Sequence, residues 1–181
     1  MKILLLNSSP RHNGNTAYAT DQIKKSIELN TTHSVESVNV TNLKVSGCVA
    51  CDSCRTNSEI CVIKDDTQDI LNKIVDADAI VFLAPVYWWG VPSQLKAVID
   101  KFYSVQSKLK AKTKKIGVVT IGASDITNRQ YSLISDQFDC INEFLGWEKI
   151  FDLSFSAREI NDLQKLEGAT EQLSNVSQYL V

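Results

Sequence analysis

The sequence predicts an α/β protein with one parallel sheet of five strands, in the order 2-1-3-4-5, and helices on both faces. Three observations carry this. Ile3-Leu4-Leu5-Leu6, Ala79-Ile80-Val81-Phe82-Leu83-Ala84 and Lys115–Ile121 are short, nearly continuous apolar runs, as strands buried on both faces must be. Stretches with apolar residues at helical spacing lie between them. Each apolar run stops at a loop of polar, glycine or proline residues, so strand and helix alternate as in a doubly wound sheet. Crossovers between parallel strands are then right-handed.

Lys2–Asn7 is the first strand. Thr16–Leu29 follows as a helix, with Ala19, Ile23 and Ile27 on one face. Val35–Val40 alternates valine with polar residues, which suits an edge strand. Thr67–Val75 is a short helix and Ala79–Ala84 the third strand. Ser93–Val105 is a helix carrying Leu95, Val98, Ile99 and Phe102 at helical spacing. Lys115–Ile121 is the fourth strand, and Gln130–Leu145 a helix with Tyr131, Ile134, Phe138, Ile141 and Leu145 inward. Cys140, next to Ile141, is expected in the core as a small buried residue. Trp147–Leu153 is the fifth strand, and Ile160–Leu180 a closing helix lined by Leu163, Leu166, Leu173 and Val176.

The 181 residues suit one domain, 1–181, with no linker, repeat or low-complexity tract. A formal net charge of −2 gives no ground for a nucleic-acid or anionic-membrane partner. The first apolar run is too short for a signal core or a membrane span, so the expected location is the cytoplasm. There the five cysteines are expected to be reduced, metal-bound or redox-active rather than structural disulfides.

In an open sheet of this order, ligands bind beyond the carboxyl ends of the strands, where the order reverses. After the first strand comes Asn7-Ser8-Ser9-Pro10-Arg11-His12-Asn13-Gly14-Asn15-Thr16. With one glycine and no Gly-Lys-[Ser/Thr], it is neither a dinucleotide fingerprint nor a Walker loop. It offers hydroxyls, backbone N–H groups, a guanidinium and a helix start, which together suit a phosphate. His12 could approach that phosphate, but a solvated side chain is the plainer reading, and His33 also lies in a polar loop. After the third strand, Pro85-Val86-Tyr87-Trp88-Trp89-Gly90-Val91-Pro92 holds three consecutive aromatics. Exposed aromatics suit a planar ligand ring or a subunit contact, and Gly90 permits close backbone approach. After the fourth strand come Gly122 and Ala123, again small residues.

Ser9-Pro10-Arg11-x-x-Gly14-Asn15-Thr16, Pro85–Ser93 and Leu95-Lys96-x-x-x-Asp100-Lys101 resemble the NAD(P)H-dependent FMN reductases of the flavodoxin-like superfamily. The resemblance implies a flavodoxin-like three-layer α/β sandwich with non-covalent FMN. The nicotinamide NAD(P)H would be the reductant, and a small-molecule quinone, nitro or azo compound or flavin the acceptor. It implies phosphate on Ser9, Arg11, Asn15 and Thr16. It places the ring against Pro85, Val86, Tyr87, Trp88 and Gly90, with Gly122 on its far side. It also implies a homodimer or homotetramer. No acid–base residue is required for catalysis, because the cofactor carries the chemistry.

Cys48, Cys51, Cys54 and Cys61 stand in a Cys-x2-Cys-x2-Cys-x6-Cys pattern within a loop insertion, 44–66. Four thiolates without histidine suit an iron–sulfur cluster or structural zinc. The segment resembles that of iron–sulfur flavoproteins, a branch of the same superfamily, in which these four would hold a [4Fe-4S] cluster and the protein would transfer electrons between partners. It equally resembles flavin reductases without a demonstrated cluster.

Overall fold

The computed structural model describes residues 1–180. Its sheet contains β1 (Lys2–Asn7), β2 (Ser34–Asn39), β3 (Ala79–Pro85), β4 (Lys115–Gly122) and β5 (Glu148–Ser156). All pairings are parallel and the order is β2-β1-β3-β4-β5, as the sequence predicts. The strand period of two divides the core. Leu4, Leu6, Ile80, Phe82, Ile116 and Val118 face α2 (Thr67–Asp76), α3 (Ser93–Asp100) and α5 (Arg129–Leu145). Ile3, Leu5, Val81, Leu83, Val119 and Ile121 face α1 (Asn15–Asn30) and the C-terminal segment.

Local chemistry sets the helix ends. The Asn128 side chain accepts the Gln130 N–H at the start of α5, and Gly146, with φ +72°, ends it. At Gly117 an added Cβ would lie 2.0 Å from Cζ of Phe151, so the bare glycine makes room for a ring crossing from β5. Beside it, β4 and β5 slip register between Ile116 and Gly117.

Four expectations change. The helix read over Ser93–Val105 ends at Asp100, and a 3₁₀ turn, Lys101–Val105, leads into α4 (Gln106–Lys110). The closing helix is broken into α6 (Asp162–Lys165), α7 (Ala169–Ser174) and a 3₁₀ turn, because Gly168 takes φ +73° between them. Leu166, in that break, is 40% exposed, whereas Leu163, Leu173 and Val176 are buried. Cys140 is exposed, because two residues beyond Phe138 is the opposite side of a 3.6-residue helix. Finally, β5 runs to Ser156 rather than stopping at Leu153.

Candidate functional site

The loop after β1 is fastened from several sides. The Ser8 N–H and hydroxyl both donate to the Leu83 carbonyl of β3 (2.9 and 3.0 Å). Asn7 Oδ1 accepts the Ser9 N–H (2.8 Å), and the Ser9 carbonyl accepts from Asn39 Nδ2 (2.9 Å) and Thr41 Oγ1 (3.3 Å). A turn closes with Gly14 N–H on the Arg11 carbonyl (3.0 Å). An added Cβ at Gly14 would press within 2.8 Å of Arg11 Cβ, so glycine is required for so tight a turn. The N-terminus of α1 is thereby aimed along a rigid loop. Its first N–H groups and its partial positive charge suit an anion.

Two further loops meet this one. Val86 N–H donates to the Ile121 carbonyl (2.8 Å), tying the loop after β3 to the end of β4. Ala157 N–H donates to the Gly122 carbonyl (2.8 Å), tying β4 to the segment after β5. An added Cβ at Gly122 would fall 2.3 Å from Gln130 Nε2 and 2.8 Å from the Tyr131 hydroxyl, so the glycine leaves that space to these two side chains. The result is a cavity of about 330 Å³ at the carboxyl ends of the strands. It brings together Ser9, Arg11, Asn15, Thr16, Pro85, Val86, Tyr87 and Gly122. Of the expected site residues on these loops, Trp88 and Gly90 do not line it.

Trp88 and Trp89 instead form the tip of a two-residue hairpin. Tyr87 and Gly90 exchange backbone hydrogen bonds of 2.9 and 3.0 Å. Trp88 and Trp89 take φ +47° and +60°, both left-handed, in the pattern of a type I′ turn. Their rings lie 5.9 Å apart, and Trp88 is 92% and Trp89 53% exposed. Asparagine and glycine favour such positions; bulky residues do not.

Asn15 lines the cavity, and its side chain is also bound to the chain past β5. Its Nδ2 donates to the carbonyls of Ala157 (3.2 Å) and Glu159 (2.9 Å), and its Oδ1 accepts the Leu163 N–H (3.3 Å). Arg158 and Glu159 also line the cavity, although no sequence signal marks them. They lie just past the true end of β5, which runs three residues beyond its expected end at Leu153.

The cysteine segment is pinched at its neck. Lys44 N–H donates to Asp66 (2.8 Å), Asp66 N–H returns to the Lys44 carbonyl (3.0 Å), and Ser46 N–H donates to Asp65 (2.7 Å). Asp65 meets the Lys101 ammonium at 2.7 Å, with side chains only 5% and 2% exposed. Burial works against the Asp65 charge. Even so, Lys101, the Ser46 N–H and the Thr67 hydroxyl and N–H hold its carboxyl well below the usual carboxylate range. Ala50, Asp52, Ser58 and Glu59 all have positive φ, so the segment turns sharply and often. Cys48, Cys51, Cys54 and Cys61 border one small cavity of about 30 Å³ together with Lys101. Among the described residues, no three acidic, histidine or cysteine side chains stand close enough to share a metal ion. The Ser53 hydroxyl and N–H lower the Cys51 thiol from its usual range.

No helix among the described residues is long and apolar enough to cross a membrane. The family described as NADPH-dependent FMN reductase matches residues 1–138. An iron–sulfur flavoprotein of Methanosarcina thermophila is 35% identical over 128 residues, 68% of this chain and 64% of that protein. One of Methanocaldococcus jannaschii is 30% identical over 126 residues, 68% of this chain and 63% of the relative. The match thus spans less than two thirds of the length of these relatives. An FMN-dependent NADH-azoreductase of Bacillus anthracis, solved with FMN, superposes with a TM-score of 0.72, covering 99% of each chain at 14% identity. The fold, the cavity at its switch point and the match over residues 1–138 agree: this chain belongs to the NADPH-dependent FMN reductase family.

Proposed function

We propose that this chain is an FMN-dependent oxidoreductase that passes electrons from NAD(P)H to a small-molecule acceptor. The observation that carries the reading is the three-loop cavity, polar at the α1 end and apolar at the β3 and β4 ends. Its residues fit the cofactor. A cavity of about 330 Å³ lies within the range of small-ligand sites, roughly 300–1,000 Å³. Arg11 and the helix start suit a phosphate, and Pro85, Val86, Tyr87 and Gly122, which line the other end, suit a flat ring. Ser9, Arg11 and Thr16 would hold the phosphate, and Pro85, Val86, Tyr87 and Gly122 the ring.

Bound FMN would supply the two-electron chemistry. The chain's own work is to orient and to exclude water. The backbone ties through Val86, Ile121, Gly122 and Ala157 keep the ring slot at fixed width. Tyr87 forms its wall, and the Trp88-Trp89 tip beside it offers an aromatic surface on which a planar acceptor would stack. No side chain need transfer a proton to the reacting atoms.

Mixing the FMN-loaded chain with NADPH or NADH without oxygen tests this. Loss of flavin absorbance, and its return on adding a quinone or azo compound, is expected. Flavin absorbance unchanged by either nicotinamide would refute it. A second reading, an electron-transfer protein carrying a [4Fe-4S] cluster, is supported by the four-cysteine spacing and by the iron–sulfur flavoprotein relatives, although the four thiols as placed do not fit a shared metal. About four iron atoms per chain, with NADPH oxidation far slower than reduction by a protein donor, would establish it instead. The family resemblance implies a homodimer or homotetramer here, which light scattering would decide.

A further inference from the structure

We infer that Arg158 is a second cation for a phosphate monoester in this cavity, and that Asn15 is the positioning residue that brings it there; this rests on the FMN reading above. Asn15 stands at the start of α1, where a phosphate ligand was expected. All three of its side-chain hydrogen bonds go instead to residues 157–163. Two of them grip the carbonyls of Ala157 and Glu159, the residues on either side of Arg158. The Ala157 N–H is bound to Gly122 as well.

This arrangement solves a topological problem. β5 is the far edge of the sheet, with β4 and β3 between it and β1. The chain leaving β5 crosses back over the strand ends toward α1, and the Asn15 amide holds it down where it arrives. Arg158 therefore rises from a backbone fixed at both neighbours, and it lines the same cavity as Arg11. Two guanidinium groups from separate loops suit a dianionic oxygen cluster, since each can present paired N–H donors. Glu159 also lines the cavity, and its Oε1 lies 3.7 Å from Arg158 Nε. Both side chains are 78% exposed, so this contact is loose and leaves the Nη groups to a ligand.

The phosphate monoester has two sources, the 5′-phosphate of FMN and the 2′-phosphate of NADPH. The chain freed of flavin would be titrated with FMN and with riboflavin, which lacks the phosphate, following flavin fluorescence. For R158A, FMN should bind at least about tenfold more weakly, the effect of one charged hydrogen bond, with riboflavin unchanged. R158K should recover part of the loss. N15A should reproduce the FMN-selective loss, and adding it to R158A should cost little more. If the phosphate is that of the nicotinamide, both flavins bind R158A normally, and KM rises for NADPH but not for NADH. R158A behaving like wild type toward all four ligands, or weakening FMN and riboflavin equally, overturns the inference. A wild-type chain that binds neither flavin refutes the FMN reading itself. Because Arg158 is exposed, its variants should fold even if N15A does not.

Discussion

The Trp88-Trp89 tip is a place where stability has been given up. Two L-residues in left-handed backbone cost about 1–2 kcal/mol each, so the turn stores roughly 2–4 kcal/mol. The double substitution Trp88→Asn with Trp89→Gly introduces the asparagine–glycine pair that a type I′ turn favours, and so keeps the turn while removing that strain. Against this stand the lost contact between the rings, about 0.5–1.5 kcal/mol, and the greater freedom of an unfolded glycine, about 0.5–1 kcal/mol. Trp88 itself is 92% exposed and loses almost no burial, but Trp89 is 53% exposed and gives up about half of a tryptophan's burial, roughly 2–3 kcal/mol. Strain release offsets most of these losses, and the net expectation is a loss of about 1 kcal/mol, a fall in Tm of roughly 2–4 °C for a chain of this size. Calorimetry of the flavin-free protein measures it. The same variant should reduce planar aromatic acceptors more slowly while its flavin is still reduced by NAD(P)H. A fall in Tm of about 8 °C or more, the loss expected with no strain released, would show that the tip is not strained, and unchanged turnover of planar acceptors would show that the strain serves nothing in acceptor binding.

Three more predictions concern the frame of the site. Asp65→Asn strands the buried Lys101 ammonium and should cost about 3–5 kcal/mol in urea denaturation. In the wild type the Asp65 contribution is present above the unfolded carboxylate pKa, near 4, and fades as pH falls below it; the variant should lack that acid sensitivity. Gly117→Ala drives a methyl group into the Phe151 ring and should destabilise by at least about 1–3 kcal/mol, with partial rescue by Phe151→Leu, read as the urea midpoint. Burial, with a smaller push from Lys112, lowers the Lys114 ammonium to about 8, and its Nζ donates to the Val75 and Ala77 carbonyls. Between about pH 8 and 10.4 the unfolded chain holds a proton that the native chain has released, so stability should rise with pH across that window, by up to about 3 kcal/mol. Lys114→Met should remove the rise, and an identical pH profile in both proteins would refute the assignment.

The central fold was legible because fully buried strands leave an unbroken apolar run. Ile3–Leu6 and Ala79–Ala84 could be little else, and the polar and aromatic loops after them mark the cavity. What was not legible depended on contacts distant in sequence. The last strand continues through Ser154 and Ser156, whose polar side chains hide a strand end that β4 holds by its backbone. Ending it early concealed Arg158 and Glu159. The role of Asn15 is decided by carbonyls 142 and 144 residues away, which no local pattern encodes. Gly168 breaks a leucine periodicity that reads as one helix, and the outward turn of Cys140 follows from the angular step of about 100° per residue rather than from its apolar neighbour. The four-cysteine spacing was plain, but spacing does not tell how near the thiols come; that depends on the turns at Ala50, Asp52, Ser58 and Glu59.

The central claim is that residues of the β1, β3 and β4 loops form one FMN site. Titrating the flavin-free chain with FMN by isothermal calorimetry tests it most directly, with Arg11→Ala beside the wild type. The expected result is saturation at one FMN per chain, with affinity at least about tenfold weaker for the variant. Heat indistinguishable from dilution, or binding untouched by Arg11→Ala, would contradict the account.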